Sequence, residues 1–295
     1  MDEAAFLTRL RALPLHPGAY GLRDDTGTLA GLVVTSDTMV QGVHFLPDDP
    51  PADVAWKLVA TNLSDLAAKG ALVEAITLNY PLSNAAWDDA FLRGLAAVTH
   101  AYDAPLLGGD TVTLPLGAPR ILTVTAFGRD AAAPPRSGAQ AGDALWVTGT
   151  IGDGGAGLAV ARAGHGDAYL LGRYRRPTPR LAEGRALASH VHAMMDVSDG
   201  LLIDAARMAA ASGLSLTLAL DAVPLSTPAR ATGLTALAAA TAGDDYELLF
   251  AAPAGWTPPV AATRVGRFAP GSGLSLTQGG ASVPLPTSLG YQHGA

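Results

Sequence analysis

At 295 residues the chain is long for a single core, and its length favours two domains. It contains no cysteine, which excludes disulfides, thiolate catalysis and Cys-type zinc sites, and its net charge of −7 argues against a general nucleic-acid surface. It has no run of about 18 apolar residues that could span a membrane, and Met1-Asp2-Glu3 sets acids where a secretory signal carries bases, so a cytoplasmic globular protein is expected.

Residues 30–36 read as a buried strand ending at Asp37. Residues 54–68 carry apolar side chains at helical spacing, with Asp53 as the expected N-cap. A strand over 74–80, a helix over 87–102 and an alternating strand over 120–128 follow. The stretch 129–142, rich in Ala, Pro and Gly, reads as a linker. Beyond it come a strand at 143–148, helices at 155–163 and 201–211, and strands at 214–220 and 246–251. Helices and strands alternate in both halves, so the expected fold class is α/β, in two layered domains spanning 1–130 and 137–295.

The chemistry concentrates in aspartate. The chain has 22 aspartates and four glutamates, and five segments set an Asp at or just after an apolar run. They are Asp24-Asp25, Thr35-Ser36-Asp37, Ser64-Asp65, Gly108-Gly109-Asp110 and Asp196-Val197-Ser198-Asp199-Gly200. Any one of them could be a turn or a helix cap. Their recurrence beside Ser, Thr and Gly suits Mg²⁺, which takes hard oxygen ligands from a few carboxylates plus substrate phosphates.

Other nucleotide and catalytic signatures are weaker. The only lysines are Lys57 and Lys69, and neither completes a P-loop. Gly152, Gly154 and Gly157 match Gly-x-Gly-x-x-Gly after the 143–148 strand, yet the acidic residue that a dinucleotide fold places on its next strand is missing. His190 and His192 are wrongly spaced for zinc, and no Gly-x-Ser-x-Gly elbow supports a triad. His44, in Gly42-Val43-His44-Phe45, could reach a phosphate or ring, or simply pack beside Phe45. Arg136 could fork onto a phosphate or be an ordinary linker arginine.

Taken in order, these motifs resemble the thiamine-monophosphate kinase family along nearly the whole chain. The resemblance is carried by the five Asp segments, Asn62-Leu63-Ser64-Asp65-Leu66-Ala67-Ala68, Arg136-Ser137-Gly138 and Val147-Thr148-Gly149. Arg176-Pro177-Thr178-Pro179-Arg180, Gly243-Asp244-Asp245-Tyr246-Glu247-Leu248 and Gly290-Tyr291 extend it. It implies ATP-dependent phosphorylation of thiamine monophosphate to thiamine diphosphate, the final step of that cofactor's biosynthesis, by direct in-line transfer. It also implies the fold of aminoimidazole ribonucleotide synthetase, with an N-terminal domain that binds ATP and Mg²⁺ and forms a homodimer through its sheet, and a C-terminal α/β domain.

By the same resemblance, several Mg²⁺ ions fall on Asp25, Thr35, Ser36, Asp37, Asp65, Asp110, Asp196 and Asp199. Asp37, Asp65, Asp110 and Asp199 are the residues expected to carry the transfer. ATP contacts fall on Tyr102, Gly109, Asp110, Arg136 and Ser198, and thiamine-phosphate contacts on His44, Asp244 and Tyr291. Neither a nucleic acid nor a membrane is an expected partner. The chain departs from the family pattern at Arg23, where glycine is usual, at Lys69, where methionine is usual, and at its end, which lacks the closing aromatic. A selenophosphate synthetase would need a reactive Cys or selenocysteine, and the segments of His44 and Asp244 disfavour a purine-pathway synthetase. A non-enzymatic nucleotide- or metal-binding protein is the alternative from another class.

Overall fold

The computed structural model describes residues 3–292; Met1, Asp2 and the closing His293-Gly294-Ala295 lie outside them. The first half runs α1 (Glu3–Leu10), β1 (Gly27–Leu29), β2 (Leu32–Val40), α2 (Pro51–Ala68), β3 (Leu72–Leu82), α3 (Ala85–Ala101), β4 (Leu106–Thr113) and β5 (Ile121–Arg129). Its five strands form one sheet in the order β1-β2-β5-β3-β4, antiparallel except for the parallel β3–β4 pair.

The second half runs β6 (Ala144–Thr148), α4 (Asp153–Ala163), α5 (Ala168–Arg175), α6 (Leu181–Leu187), β7 (Ala193–Asp196), α7 (Leu201–Ala211) and β8 (Leu214–Ala219). It continues through α8 (Thr227–Ala231), α9 (Ala236–Ala240), β9 (Leu248–Ala252), β10 (Ala262–Pro270), β11 (Gly273–Gln278) and β12 (Ala281–Val283). Seven strands make a second sheet, ordered β12-β11-β8-β10-β6-β9-β7. The α/β layering expected from the sequence is present, with sheets that are mixed rather than parallel.

Strand alternation gives the first sheet two different faces. Val33, Thr35 and Met39 of β2 and Leu122, Val124 and Ala126 of β5 are buried on the side where α2 packs. Ser36 and Thr38 point the other way and hydrogen-bond Thr125 and Thr123 across the strands, at 2.9 and 2.8 Å. Helix α2 is buried along nearly its whole length, because the first sheet and α3 cover one side and α6 and β7 cover another. Close approach to α6 depends on Gly184, where a Cβ would collide with the Ala67 carbonyl oxygen. Ala67, Ala68, Leu187, Met194, Leu248 and Phe250 form an apolar cluster between the halves, and each large side chain removed from water there contributes about 1.5–3 kcal/mol.

Two expectations are corrected. The strand expected to end at Asp37 continues to Val40, with Asp37 opposite Val124 in its middle. Its continuation has no apolar signal before Met39, because one face is exposed and the other carries a carboxylate. Asp53 does not cap α2: the N-cap is Pro50, and Asp53 sits in the first turn, paired with Arg176 Nε at 2.5 Å. There its charge still faces the positive helix end.

The glycine fingerprint is also resolved. Strand β6 has antiparallel neighbours on both sides, so no parallel βαβ unit exists around it. The Gly152 and Gly154 amides donate to Asp245 at 2.7 and 3.1 Å, so a buried carboxylate of the chain occupies the start of α4. Burial pushes the Asp245 carboxyl up to about 8, although both N–H bonds work in the opposite direction. The folded state therefore holds a proton there from the unfolded value of 3.8 up to about 8, and this group's contribution to stability falls as pH rises through that window. Urea unfolding of wild type and Asp245→Asn at a series of pH values tests this. Wild type should lose stability relative to the variant from about pH 5 to about pH 8; a pH-independent difference would refute it.

Candidate active site

Three of the five aspartate segments converge where the two sheets meet. Asp25 lies in the turn before β1, Asp65 in the last turn of α2 and Asp196 at the end of β7, and each offers an oxygen within 4.8 Å of the others. Asp37 joins them from β2, on the inward face it shares with Thr35. Thr35 Oγ1 donates a short hydrogen bond to Asp65 Oδ2, and Ser64 Oγ donates to Asp196 Oδ2 at 2.6 Å. The Asp37 amide, beyond the short β1, donates to Asn62 Oδ1 at 3.0 Å, while Asn62 Nδ2 donates to its own helix at the Leu58 carbonyl. A side chain of α2 thus replaces a missing strand neighbour and fixes Asp37.

The electrostatics show a site with too much negative charge. Burial, then Asp25 and Asp199, raise the Asp37 carboxyl to about 6. Burial, then Asp37, Asp196 and Asp25, hold Asp65 well above the usual carboxylate range. Asp196 is likewise raised, by burial and then by Asp25, against the hydrogen bond from Ser64. Asp25 Oδ2 is buried without a hydrogen-bond partner. Clustered hard oxygens, one of them unsatisfied, fit a divalent cation such as Mg²⁺.

Cations stand at the edges of this cluster. Lys69 Nζ contacts Asp24 Oδ1 at 2.5 Å and lies 4.0 Å from Asp25 Oδ2, so its charge faces Asp24 rather than Asp65. Arg136 makes a short contact to Asp25 Oδ1, and its amide donates to Asp24 Oδ2 at 3.1 Å. Burial disfavours the charged guanidinium, and Asp25 and Asp24 more than offset it. Arg207 binds Asp199 at 2.5 Å and Asp204 at 2.8 Å. Asp204 Oδ2 also accepts from the amides of Ser198, Asp199 and Gly200, which shapes the turn entering α7.

The expected substrate residues are linked through Lys57. Its Nζ donates to the His44 carbonyl at 3.0 Å, pairs with Asp244 Oδ2 at 2.7 Å and lies 4.1 Å over the Tyr174 ring. The Asp244 amide donates to the Ser198 carbonyl, and the Tyr291 amide to the Asp199 carbonyl, at 2.8 and 2.9 Å. His44, Asp244, Ser198, Asp199 and Tyr291 therefore form one connected neighbourhood. His44 Nδ1 accepts from the Val40 amide at 3.0 Å, which puts the neutral ring's proton on Nε2.

Other expected residues lie apart. Ser36 is on the outward face, away from Thr35 and Asp37. The pairing Thr38–Thr123–Asn79–Asp110 sets Asp110 on that same outward face, three strand spacings or about 14 Å from Thr38. Gly109 precedes it with φ +152, where a Cβ would strike the Leu78 carbonyl oxygen. Tyr102 ends α3, edge-on to Trp56 at 5.7 Å; burial raises its hydroxyl, and Arg180 and Arg173 act against that.

Sequence reasoning gave no role to Lys57, Asn62, Asp204, Arg207 or Glu247. Glu247 is fully buried and accepts from Arg180 at 2.6 and 2.7 Å, Arg173 at 2.9 Å and Thr148 at 2.7 Å. Scarcity was the available signal, since Glu247 is one of four glutamates and Lys57 one of two lysines.

The chain matches the AIR synthase related protein N-terminal domain over residues 22–129 and the corresponding C-terminal domain over 140–268. The thiamine-monophosphate kinase of Caulobacter vibrioides is 40% identical, over 94% of this chain and 86% of its own length. A solved complex described as AaThiL with AMPPCP and TMP superposes with a TM-score of 0.88 at 27% identity, covering 99% of this chain and 97% of that one. The crystal structure of thiamine-monophosphate kinase from Stenotrophomonas maltophilia gives 0.76 at 35% identity, covering 96% and 99%. With its acid cluster, its two matched domains and these relatives, the chain belongs to the thiamine-monophosphate kinase family.

Proposed function

We propose that this chain transfers the terminal phosphate of ATP to thiamine monophosphate, forming thiamine diphosphate in one direct in-line step. The observation that carries this reading is the convergence of Asp25, Asp65 and Asp196 from both halves, with one buried carboxylate oxygen lacking a partner. Asp25, Asp37, Asp65 and Asp196 are the residues that would hold Mg²⁺, with Thr35 and Asp199 beside them. When bound, the metal supplies neutralisation between carboxylates and phosphates and alignment of donor with acceptor. Lys57 orients Asp244 toward the thiamine moiety, and His44 and Tyr291 complete that pocket. Ser198 and Arg136 face the nucleotide, with Tyr102, Gly109 and Asp110 as its further contacts. The acceptor is itself a phosphate oxygen, largely ionised near neutral pH, so no side chain has to act as base or nucleophile.

Two units divide the work in this reading: 1–130 for most nucleotide and metal contacts and for the dimer, and 137–295 for closing the site with Asp196, Ser198, Asp244 and Tyr291. Among the described residues no helix is long and apolar enough to cross a membrane; the need for ATP favours the cytoplasm. The test is release of ADP that depends on thiamine monophosphate and Mg²⁺. Asp37→Asn should lower turnover by about 10²-fold or more. It should not lower the stability of the metal-free protein, because Asp37 is repelled by Asp25 and Asp199. Normal turnover by a folded Asp37→Asn protein would sink the assignment.

We also infer a homodimer through the first sheet. Strand β4 is an edge with every residue exposed, and Leu106, Leu107 and Val112 lie open on it. Long exposed edges are normally covered, and two-fold pairing is the commonest assembly. Ser36 and Asp110 would then sit at the covered face. Light scattering at micromolar protein should return twice the chain mass, and a monomer mass counts against the inference.

A further inference from the structure

Lys69 is a lysine held like a bound ion. It is 1% exposed, and its three N–H donors have three acceptors: Asp24 Oδ1 at 2.5 Å, the Pro134 carbonyl at 3.1 Å and the Met194 carbonyl at 3.3 Å. These come from the turn before β1, from the segment joining the halves, and from the strand that ends two residues later in Asp196. Asp24 is fully used in return. Its Oδ1 also accepts from the Asp25 amide at 2.8 Å, and its Oδ2 accepts from the Arg136 amide at 3.1 Å. Asp25, one residue on, has its Oδ2 buried and unsatisfied.

We propose that Lys69 is a positioning residue that serves as a fixed monovalent cation in the acid cluster, neutralising Asp24 and keeping it out of the divalent-ion site. Adjacent carboxylates on one turn would otherwise compete for the same ion. With Lys69 anchored by two backbone carbonyls, Asp24 is withdrawn and only Asp25 is presented. The cost is a positive charge 4.0 Å from a ligand oxygen, which weakens divalent binding to the metal-free protein. The cluster then fills most readily when phosphates arrive with the ion. This inference rests on the proposed divalent-ion reading.

The test is calorimetric titration of the metal-free protein with Mg²⁺ alone, without nucleotide or thiamine monophosphate. Lys69→Met should bind Mg²⁺ at least about tenfold more tightly than wild type. Its melting temperature should be low without Mg²⁺ and recover with it. A packing role alone would lower the melting temperature at every Mg²⁺ concentration and leave affinity unchanged, which overturns the proposal. Should Lys69→Met fail to fold, Asp24→Asn and the double variant Asp24→Asn/Lys69→Met decide. Asp24→Asn leaves the lysine charge uncompensated and should weaken binding, and the double variant should restore it. Binding that stays weak in the double variant makes Asp24 a ligand, and wild-type binding in both makes Lys69 electrostatically silent; either result overturns the proposal. Absence of any Mg²⁺ binding by wild type and by Lys69→Met alike refutes the divalent-ion reading itself and takes this inference with it.

Discussion

The burial of α2 between the two sheets is the constraint from which the site follows. A helix covered on one side only could keep its polar residues in water. Here Lys57, Thr61, Asn62, Ser64, Asp65 and Lys69 all lie buried on α2 or its C-cap, and each polar atom needs a partner inside the protein. The partners come from both halves: Asn62 to Asp37 of β2, Ser64 to Asp196 of β7, Lys57 to Asp244, and Lys69 to Asp24 and Met194. Satisfying the helix is therefore the same act as assembling the site. A rearrangement that separated the sheets would leave these groups desolvated and unpaired, at a cost of about 1–3 kcal/mol for each neutral group and more for each charge.

The acid cluster makes the opposite demand. Asp37, Asp65 and Asp196 are each raised first by burial and then by neighbouring carboxylates, Asp25 among them in every case, and fold stability alone would not gather them. The chain supports the arrangement with cations at the margins: Lys69 and Arg136 on Asp24 and Asp25, and Arg207 on Asp199 and Asp204. Inside the cluster, Asp65 and Asp196 take hydroxyl donors, from Thr35 and Ser64, which leave the net charge untouched. Strain of this kind, local and surrounded by satisfied groups, is the pattern of a binding site rather than of a core.

How much of this was legible depends on what each residue reveals in one dimension. The aspartate segments were visible because Asp beside Ser, Thr and Gly recurs, and α2 was visible because its apolar spacing is helical. Strand β4 was not, since an edge strand buried on neither face has no periodicity to detect. Helices α5 and α6 and strands β10 to β12 escaped for related reasons: the helices are short, and the strands are half exposed. Asp204 could not be assigned a role, because its task is to accept three amides of a turn four to six residues back, which only three-dimensional closure brings to it. Lys69 was visible only as a departure from the family pattern, and its partner Asp24 comes from a turn more than forty residues away in sequence.

The two faces of the first sheet differ in chemistry. Period-two alternation puts Thr35 and Asp37 on the side of α2 and Ser36 on the other, so the three neighbours of one motif cannot all point at one ion through their side chains. Asp110 shares the outward face with Ser36. The cluster around Asp37 is built wholly on the inward face, from β2, α2 and the second sheet. Whatever engages Ser36 and Asp110 must approach from the outside, across a polar surface of Thr38, Thr123, Thr125 and Asn79. Beyond that surface lies the edge strand β4, every residue of which is exposed. On this sheet the inward side carries the carboxylates that repel one another, with one buried oxygen left unsatisfied, and the outward side carries hydroxyls paired across the strands.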